Sequence, residues 1–182
     1  MSQDGVRKVA VFATSAWGGY SACRQYDEDI QQMREHLAEQ GLPDIEFTKI
    51  RQFFDHPKFV VEMAAAVTEV WGQVPEEKKE STRMLFTAHS VPVAHDNVGG
   101  VEGDKNLYSR QVAEASRLVA SQAGISDYDL VWQSRSGNPR TPWLEPDIVD
   151  HTTDIHHNEG IDTVVVCPIG FISDHMLSLI HI

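Results

Sequence analysis

The sequence predicts an α/β fold built on a parallel sheet with helices on both faces. Apolar runs alternate with amphipathic segments along the chain, no hairpin turn separates two neighbouring runs, and several of the amphipathic segments stop at a glycine. Strands separated by helices are parallel strands joined by crossovers, and crossovers cover both faces of a sheet. The order read from the sequence is β-α-β-α-β-α-β-α-β.

Lys8 to Thr14 is the first strand. Tyr26 to Glu39 is a helix, with Ile30, Met33 and Leu37 at helical spacing and Gly41 as its stop. Ile45 to Ile50 alternates and reads as a strand. Pro57 to Val74 is a helix whose apolar face is Val60, Val61, Ala64, Val67 and Trp71. Asp55-His56-Pro57 forms its start, with His56 exposed. Met84 to Ala88 is the next strand and Asn106 to Ala123 a helix ended by Gly124. Leu130 to Gln133 is a strand. Trp143 to Asn158 contains a helix with Pro146 near its start, ended by Gly160. Thr163 to Cys167 is the last strand.

At 182 residues the chain is long enough for one domain, or one domain with an appendage. A formal net charge of −12 opposes nucleic-acid binding and suits attraction of cations. The longest apolar stretch, Val164 to Ile172, is broken by Pro168 and Gly170 and is too short to span a bilayer. Met-Ser-Gln-Asp-Gly at the N-terminus lacks the profile of a signal peptide. Cys23 and Cys167 form no CxxC pair and read as reduced thiols of a cytoplasmic protein. The chain opens abruptly in a strand, so its first strand and helix read as the tail of something larger. Fifteen residues follow the last strand, without a clear closing helix.

His89 is the most informative residue. It ends the run Met84-Leu-Phe-Thr-Ala-His89, and a polar loop follows at once. A histidine where a buried parallel strand meets a loop lies at the carboxyl edge of the sheet, where open α/β folds place their ligand crevice. It is either a proton acceptor or metal ligand, or a strand cap held by a backbone hydrogen bond. Four segments reach that edge: Thr87–Pro92, Trp132–Gly137, Pro142–Pro146 and Pro168–His175. Together they carry two histidines, Asp174, Ser134, Arg135 and Trp143, a set suited to a flat aromatic ligand with acidic substituents and a metal.

The pieces F-T-A-H-S-V-P, W-Q-S-R-S-G-x-P-x-x-P-W-L-E-P-D and V-V-V-C-P-I-G-F-I-S-D-H, in this order and separation, resemble the ferrochelatase family. The segment Thr14 to Tyr26 is similar to its actinobacterial branch, in the group acting on coproporphyrin III. The resemblance runs from about Gly5 to His175. It implies a Rossmann-like, four-stranded parallel sheet with helices on both faces, plus a remnant strand and helix of a sister domain. Residues 1–40 then belong to an N-terminal half and 41–176 to the C-terminal half. Residues 177–182 read as a non-native tail of the kind an adapter sequence read in frame would encode, against a genuine divergent C-terminus. The substrates implied are ferrous iron and coproporphyrin III, handled by a monomer.

Within the resemblance, His89 matches the histidine that takes a pyrrole proton or holds the metal. Asp174 and His175 match an acidic and a histidine position of the pocket; Asp174 equally suits a helix N-cap. Trp143 matches a tryptophan beside the macrocycle, against an ordinary core role. Ser134 matches a pocket position, against a turn serine. Arg135 pairs with a propionate or with a surface carboxylate. Tyr26 lies near a propionate or on an exposed helix face. The family glutamate three residues after Asp174 is replaced by Leu177, which cannot accept a proton, so this chain is expected to be weakly active or inactive. Cys23 resembles one ligand of a [2Fe–2S] cluster that only a longer parent would complete, since such a cluster takes four ligands. The chain itself requires no cofactor, and Cys167 reads as inert core. His151-Thr-Thr-Asp154-Ile-His156-His157 lacks the i, i+4 spacing of a helical zinc site and reads as a polar helix face.

Three other readings stand beside this one. The chain is a non-catalytic porphyrin- or metal-binding module if it binds without turnover. A cobalt-inserting chelatase is a near relative, against which the Trp-Gln-Ser and Pro-Trp-Leu-Glu-Pro segments argue. A serine hydrolase would need a GxSxG elbow, which is absent.

Overall fold

A computed structural model of the chain describes residues 4–20, 24–100, 103–138 and 140–172. The chain runs through β1 (Lys8–Val11), α1 (Gln25–Glu39), β2 (Glu46–Lys49), α2 (Pro57–Trp71), a 3-10 helix (Glu76–Ser81), β3 (Thr82–His89), a one-turn helix α3 (Val93–Asp96), α4 (Leu107–Ala123), β4 (Tyr128–Gln133), α5 (Ile148–Glu159) and β5 (Thr163–Cys167). All three strand pairings are parallel, and the α/β, Rossmann-like class holds.

The strands divide differently from the expected single sheet of four. Among the described residues the larger sheet has three strands, in the order β4-β3-β5, and β2 pairs with β1 in a separate sheet. That small sheet joins residues on both sides of position 41. β2 is four residues long and half-exposed, and Glu46 reaches Lys8 on β1 at 3.1 Å. A short strand with charged ends suits a rim better than the middle of a buried sheet.

The three-stranded sheet is buried on both faces at its centre, as the largely apolar stretch 84–88 of β3 requires. Met84, Phe86 and Ala88 join Val60, Ala64 and Val67 of α2 and Val112, Ala115 and Val119 of α4 in one core. Leu85 and Val131 point the other way, onto Ile155 of α5 and Ile161. The path explains this division. From β3 through α4 the chain steps to β4, then α5 carries it back across β3 to β5. Two right-handed crossovers in opposite directions place their helices on opposite faces.

Several boundaries move for local reasons. Helix α5 begins at Ile148, two residues after Pro146 as the sequence expects, and 142–146 stays outside it, its backbone groups spent elsewhere: Leu144 N–H donates to the Val91 carbonyl at 3.0 Å, and the Pro146 carbonyl accepts from Trp132 N–H at 2.9 Å. Asp147 then caps the helix, its carboxylate accepting from Val149 N–H at 2.9 Å. On α2, Val60, Ala64 and Val67 are buried, but Val61 faces solvent and Trp71 is only partly covered. On α1 only Leu37 is buried, and Met33 is exposed. His56 caps α2 with its ring, accepting from Lys58 N–H at 3.2 Å.

The segment after β1 crosses to the larger sheet. Trp17 is buried in its core, and its indole Nε1 donates to the Gly170 carbonyl at 3.0 Å. Gly170 in turn donates from its N–H to Thr87 at 3.1 Å. A Cβ added to Gly170 would lie 2.6 Å from the Ala88 Cα, so only glycine lets this turn approach β3. We expect Gly170→Ala to cost about 1–3 kcal/mol of stability, read as a lower urea midpoint at unchanged slope; an unchanged midpoint would show that the turn does not press on β3.

Candidate functional site

His89 is the last residue of β3 and stands opposite Gln133, the last residue of β4. β5 stops pairing earlier, at Phe86 opposite Cys167. The end of β3 thus outruns its ladder on one side while still surrounded by protein. Buried backbone groups need partners, and other elements supply them. The Tyr108 hydroxyl donates to the His89 carbonyl at 3.0 Å. Ser90 N–H donates to the Gln133 carbonyl at 2.8 Å. The Ser90 hydroxyl, fully buried, donates to the Leu144 carbonyl at 2.9 Å.

The half-buried imidazole of His89 sets Nδ1 against the carbonyl of Ser90. A carbonyl only accepts, so the neutral ring carries its hydrogen on Nδ1 and keeps a lone pair on Nε2. The strand-cap and proton-acceptor readings are therefore compatible: one nitrogen caps, and the other has the electron pair that a base or metal ligand needs.

Two predicted site residues flank His89. Ser134 follows Gln133 directly and sits at φ 66°, a left-handed conformation uncommon for a serine. Trp143 is bridged by backbone to Pro92, three residues beyond His89. The Ser134 Oγ and the Trp143 Nε1 are both shut from solvent, and neither has a hydrogen-bond partner among the described residues. Unpaired buried polar atoms are costly and rare, and here two occur on loops that adjoin the same strand end. Arg135 is exposed, 3.9 Å from Glu145. Tyr26 is exposed in the first turn of α1 and no described contact joins it to this group. Asp174, His175, Leu177 and Cys23 lie outside the described residues.

The sequence reading missed Tyr108 and Asp96. Tyr108 stands in the first turn of α4, 5.7 Å between ring centroids from Trp132. Burial first, and then the charge of Asp96, push its pKa well above the ordinary phenol value, so it remains a neutral donor. Asp96 is buried; its carboxylate accepts from Ser109 N–H at 3.2 Å and from the Ser109 hydroxyl, and its carbonyl accepts from Asn106 N–H at 3.1 Å. An aromatic at a helix start was a readable signal; an Asp in a polar loop was not. A cavity of about 90 Å³ lies between Tyr108, Asp96, Val91, His95 and the Gly18–Tyr20 segment. A cleft of about 1010 Å³ lies elsewhere, between the start of α1 and the α3–α4 connection, and among the described residues no predicted site residue lines it.

The histidines of α5 have structural partners. His151 Nε2 lies 3.0 Å from Asp129, which also binds Arg83 at 3.0 Å, and His156 Nδ1 donates to the Ile161 carbonyl at 2.8 Å. Among the described residues no group of three or more His, Cys, Asp or Glu is arranged to hold a metal ion, and no helix is long and apolar enough to cross a membrane.

A family model described as Ferrochelatase matches residues 1–181. The chain belongs to the ferrochelatase family. Curated relatives named coproporphyrin III ferrochelatase are 57% identical in Corynebacterium glutamicum, 56% in Corynebacterium diphtheriae and 53% in Nocardia farcinica. Each match covers 97% of this chain, and 47%, 49% and 49% of the respective relatives. The chain spans about half the length of the curated relatives it matches.

A ferrochelatase-family [2Fe–2S] cluster does not fit this chain's own thiols. Two cysteines fall short of the four ligands required, and Cys167 is buried in β5. Burial pushes the Cys167 thiol up to about 12. Because the folded-state value is raised, the stability tied to this thiol is complete below the ordinary value of 9.0 and is lost as pH climbs toward about 12. In a Cys23→Ser background, a thiol reagent at neutral pH should label Cys167 only once denaturant is added; rapid labelling of the folded chain would contradict its burial.

Proposed function

We propose that this protein performs the reaction named for its relatives, insertion of Fe(II) into coproporphyrin III in haem biosynthesis, as a monomeric, cytoplasmic, lyase-type chelatase with His89 as the pyrrole proton acceptor. The reaction exchanges two pyrrole N–H protons for one ferrous ion, with no change of oxidation state. It needs a base beside the ring nitrogens, a surface for the macrocycle and donors for its propionates. The observation that most supports this reading is the pairing of His89 Nδ1 with the Ser90 carbonyl at the carboxyl end of the central strand. It leaves Nε2 as the basic nitrogen at the edge where such folds bind ligands.

Ser134, Trp143 and Arg135 are the proposed macrocycle contacts beside it, and Tyr26 a proposed propionate contact. Ser134 and Trp143 sit on segments that adjoin the end of β3, which supports the first two. Asp174 and His175 are proposed to orient water or pass iron inward. His89 is the proposed iron contact before the ion enters the ring. Leu177 in place of a carboxylate is proposed to impair this chain.

The test compares iron insertion into coproporphyrin III by this chain and by one extended to the length of its relatives. The extended chain should turn over and this chain should lag well behind it; equal rates would remove the role given to Leu177. In the extended chain, His89→Ala should lower the rate by roughly 10²- to 10⁴-fold with the fold intact by circular dichroism. Persistence of the rate would remove His89 as the base. Porphyrin binding without turnover in the extended chain would favour the non-catalytic module.

A further inference from the structure

The geometry points to Tyr108 as a positioning residue for the proposed reaction: its hydroxyl, by holding the His89 carbonyl, keeps the imidazole in the Nδ1–H tautomer that leaves Nε2 able to accept a proton. This rests on the reading of His89 given above.

The His89–Ser90 peptide is held from both ends. Its carbonyl accepts from Tyr108 at 3.0 Å and its N–H donates to Gln133 at 2.8 Å. The Ser90 carbonyl, which receives the imidazole Nδ1–H, belongs to the next peptide, and the Ser90 hydroxyl is tied to Leu144 at 2.9 Å. The tautomer therefore depends on where one carbonyl points, and that depends on the peptide before it. Tyr108 supplies the hydrogen bond that β5 no longer provides, since β3–β5 pairing ends at Phe86.

Tyr108 is itself held in place. Asp96, seven residues beyond His89, grips the first turn of α4 through Asn106 N–H at 3.1 Å and Ser109 N–H at 3.2 Å. The chain leaving His89 thus anchors the helix that reaches back to His89. Packing against Trp132 fixes the ring. Without the hydroxyl, a carbonyl within protein loses its donor, and the strand end must shift to find another. Released from Ser90, a neutral imidazole returns to a mixture in which Nε2–H is abundant. The nitrogen meant to accept a pyrrole proton then already carries one.

The experiment is ¹⁵N NMR of the imidazole rings at a pH where His89 is neutral, on this chain and on Tyr108→Phe, which keeps the packed ring. The unaltered chain should show His89 as Nδ1–H alone, and Tyr108→Phe a mixture rich in Nε2–H. In the extended chain, Tyr108→Phe should lower kcat roughly 10- to 100-fold and leave KM for coproporphyrin III unchanged. A merely structural role would lower the melting temperature and leave the tautomer alone, and that result overturns the proposal. A changed tautomer with unchanged kcat overturns it as well. Predominance of Nε2–H in the unaltered chain does so even where Tyr108→Phe fails to fold. Loss of the His89 assignment itself is seen separately, as iron insertion that survives His89→Ala.

Discussion

The central strand is longer than the neighbour that should pair with it. β3 continues to His89, while its register with β5 ends at Phe86. Inside a protein the polar groups of the overhang still require partners, and much of the architecture around the candidate site consists of the means that supply them. The turn after β5 comes close enough to bond Thr87 only because residue 170 is a glycine. Residues 142–146 stay extended so that Leu144 can serve Val91 and Ser90. α4 opens with a tyrosine whose hydroxyl reaches His89. Each device comes from a different stretch of chain, so the strand end gathers loops from the whole domain.

This explains which parts were legible beforehand. The run Met84 to Ala88 declares a buried strand by itself, and the histidine that follows it falls at the carboxyl edge wherever the neighbours lie. Helix α4 was legible because its periodicity is local and Gly124, at φ 72°, stops it where a left-handed residue is needed. The partner of β2 was not legible. A four-residue strand carries no information about which edge it will join, and pairing with β1 is a tertiary outcome. The start of α5 was legible from Pro146, which stands two residues before Ile148; the three backbone bonds that tie 142–146 to other segments were not. Val61 and Met33 were assigned to apolar faces because hydrophobicity at the right spacing does not reveal how wide a covered stripe is.

The site residues divide along the same line. His89, Ser134 and Trp143 belong to irregular motifs that few constraints other than a shared pocket would bring together, and the structure sets them around one strand end. Tyr108, Asp96 and Trp17 act by holding backbone, and a side chain that bonds a carbonyl leaves no pattern in the sequence. Trp17 is the clearest case: its indole reaches Gly170 across more than 150 positions of chain. What distinguishes it from any other core tryptophan is the identity of one acceptor, which only the fold supplies.

A proton count gives these observations their chemical weight. Metalation of a porphyrin releases two protons, and one neutral imidazole accepts one. A carboxylate facing the ring would raise its basicity and steady the imidazolium; a backbone carbonyl does so more weakly, because it carries only a partial charge. His89 has the carbonyl of Ser90. Under the proposed reaction, the first proton has an acceptor whose tautomer is fixed by the backbone, and the second must leave by water or by a group beyond the imidazole. Under that reaction, the orientation of a single carbonyl decides whether the ring begins with an empty Nε2.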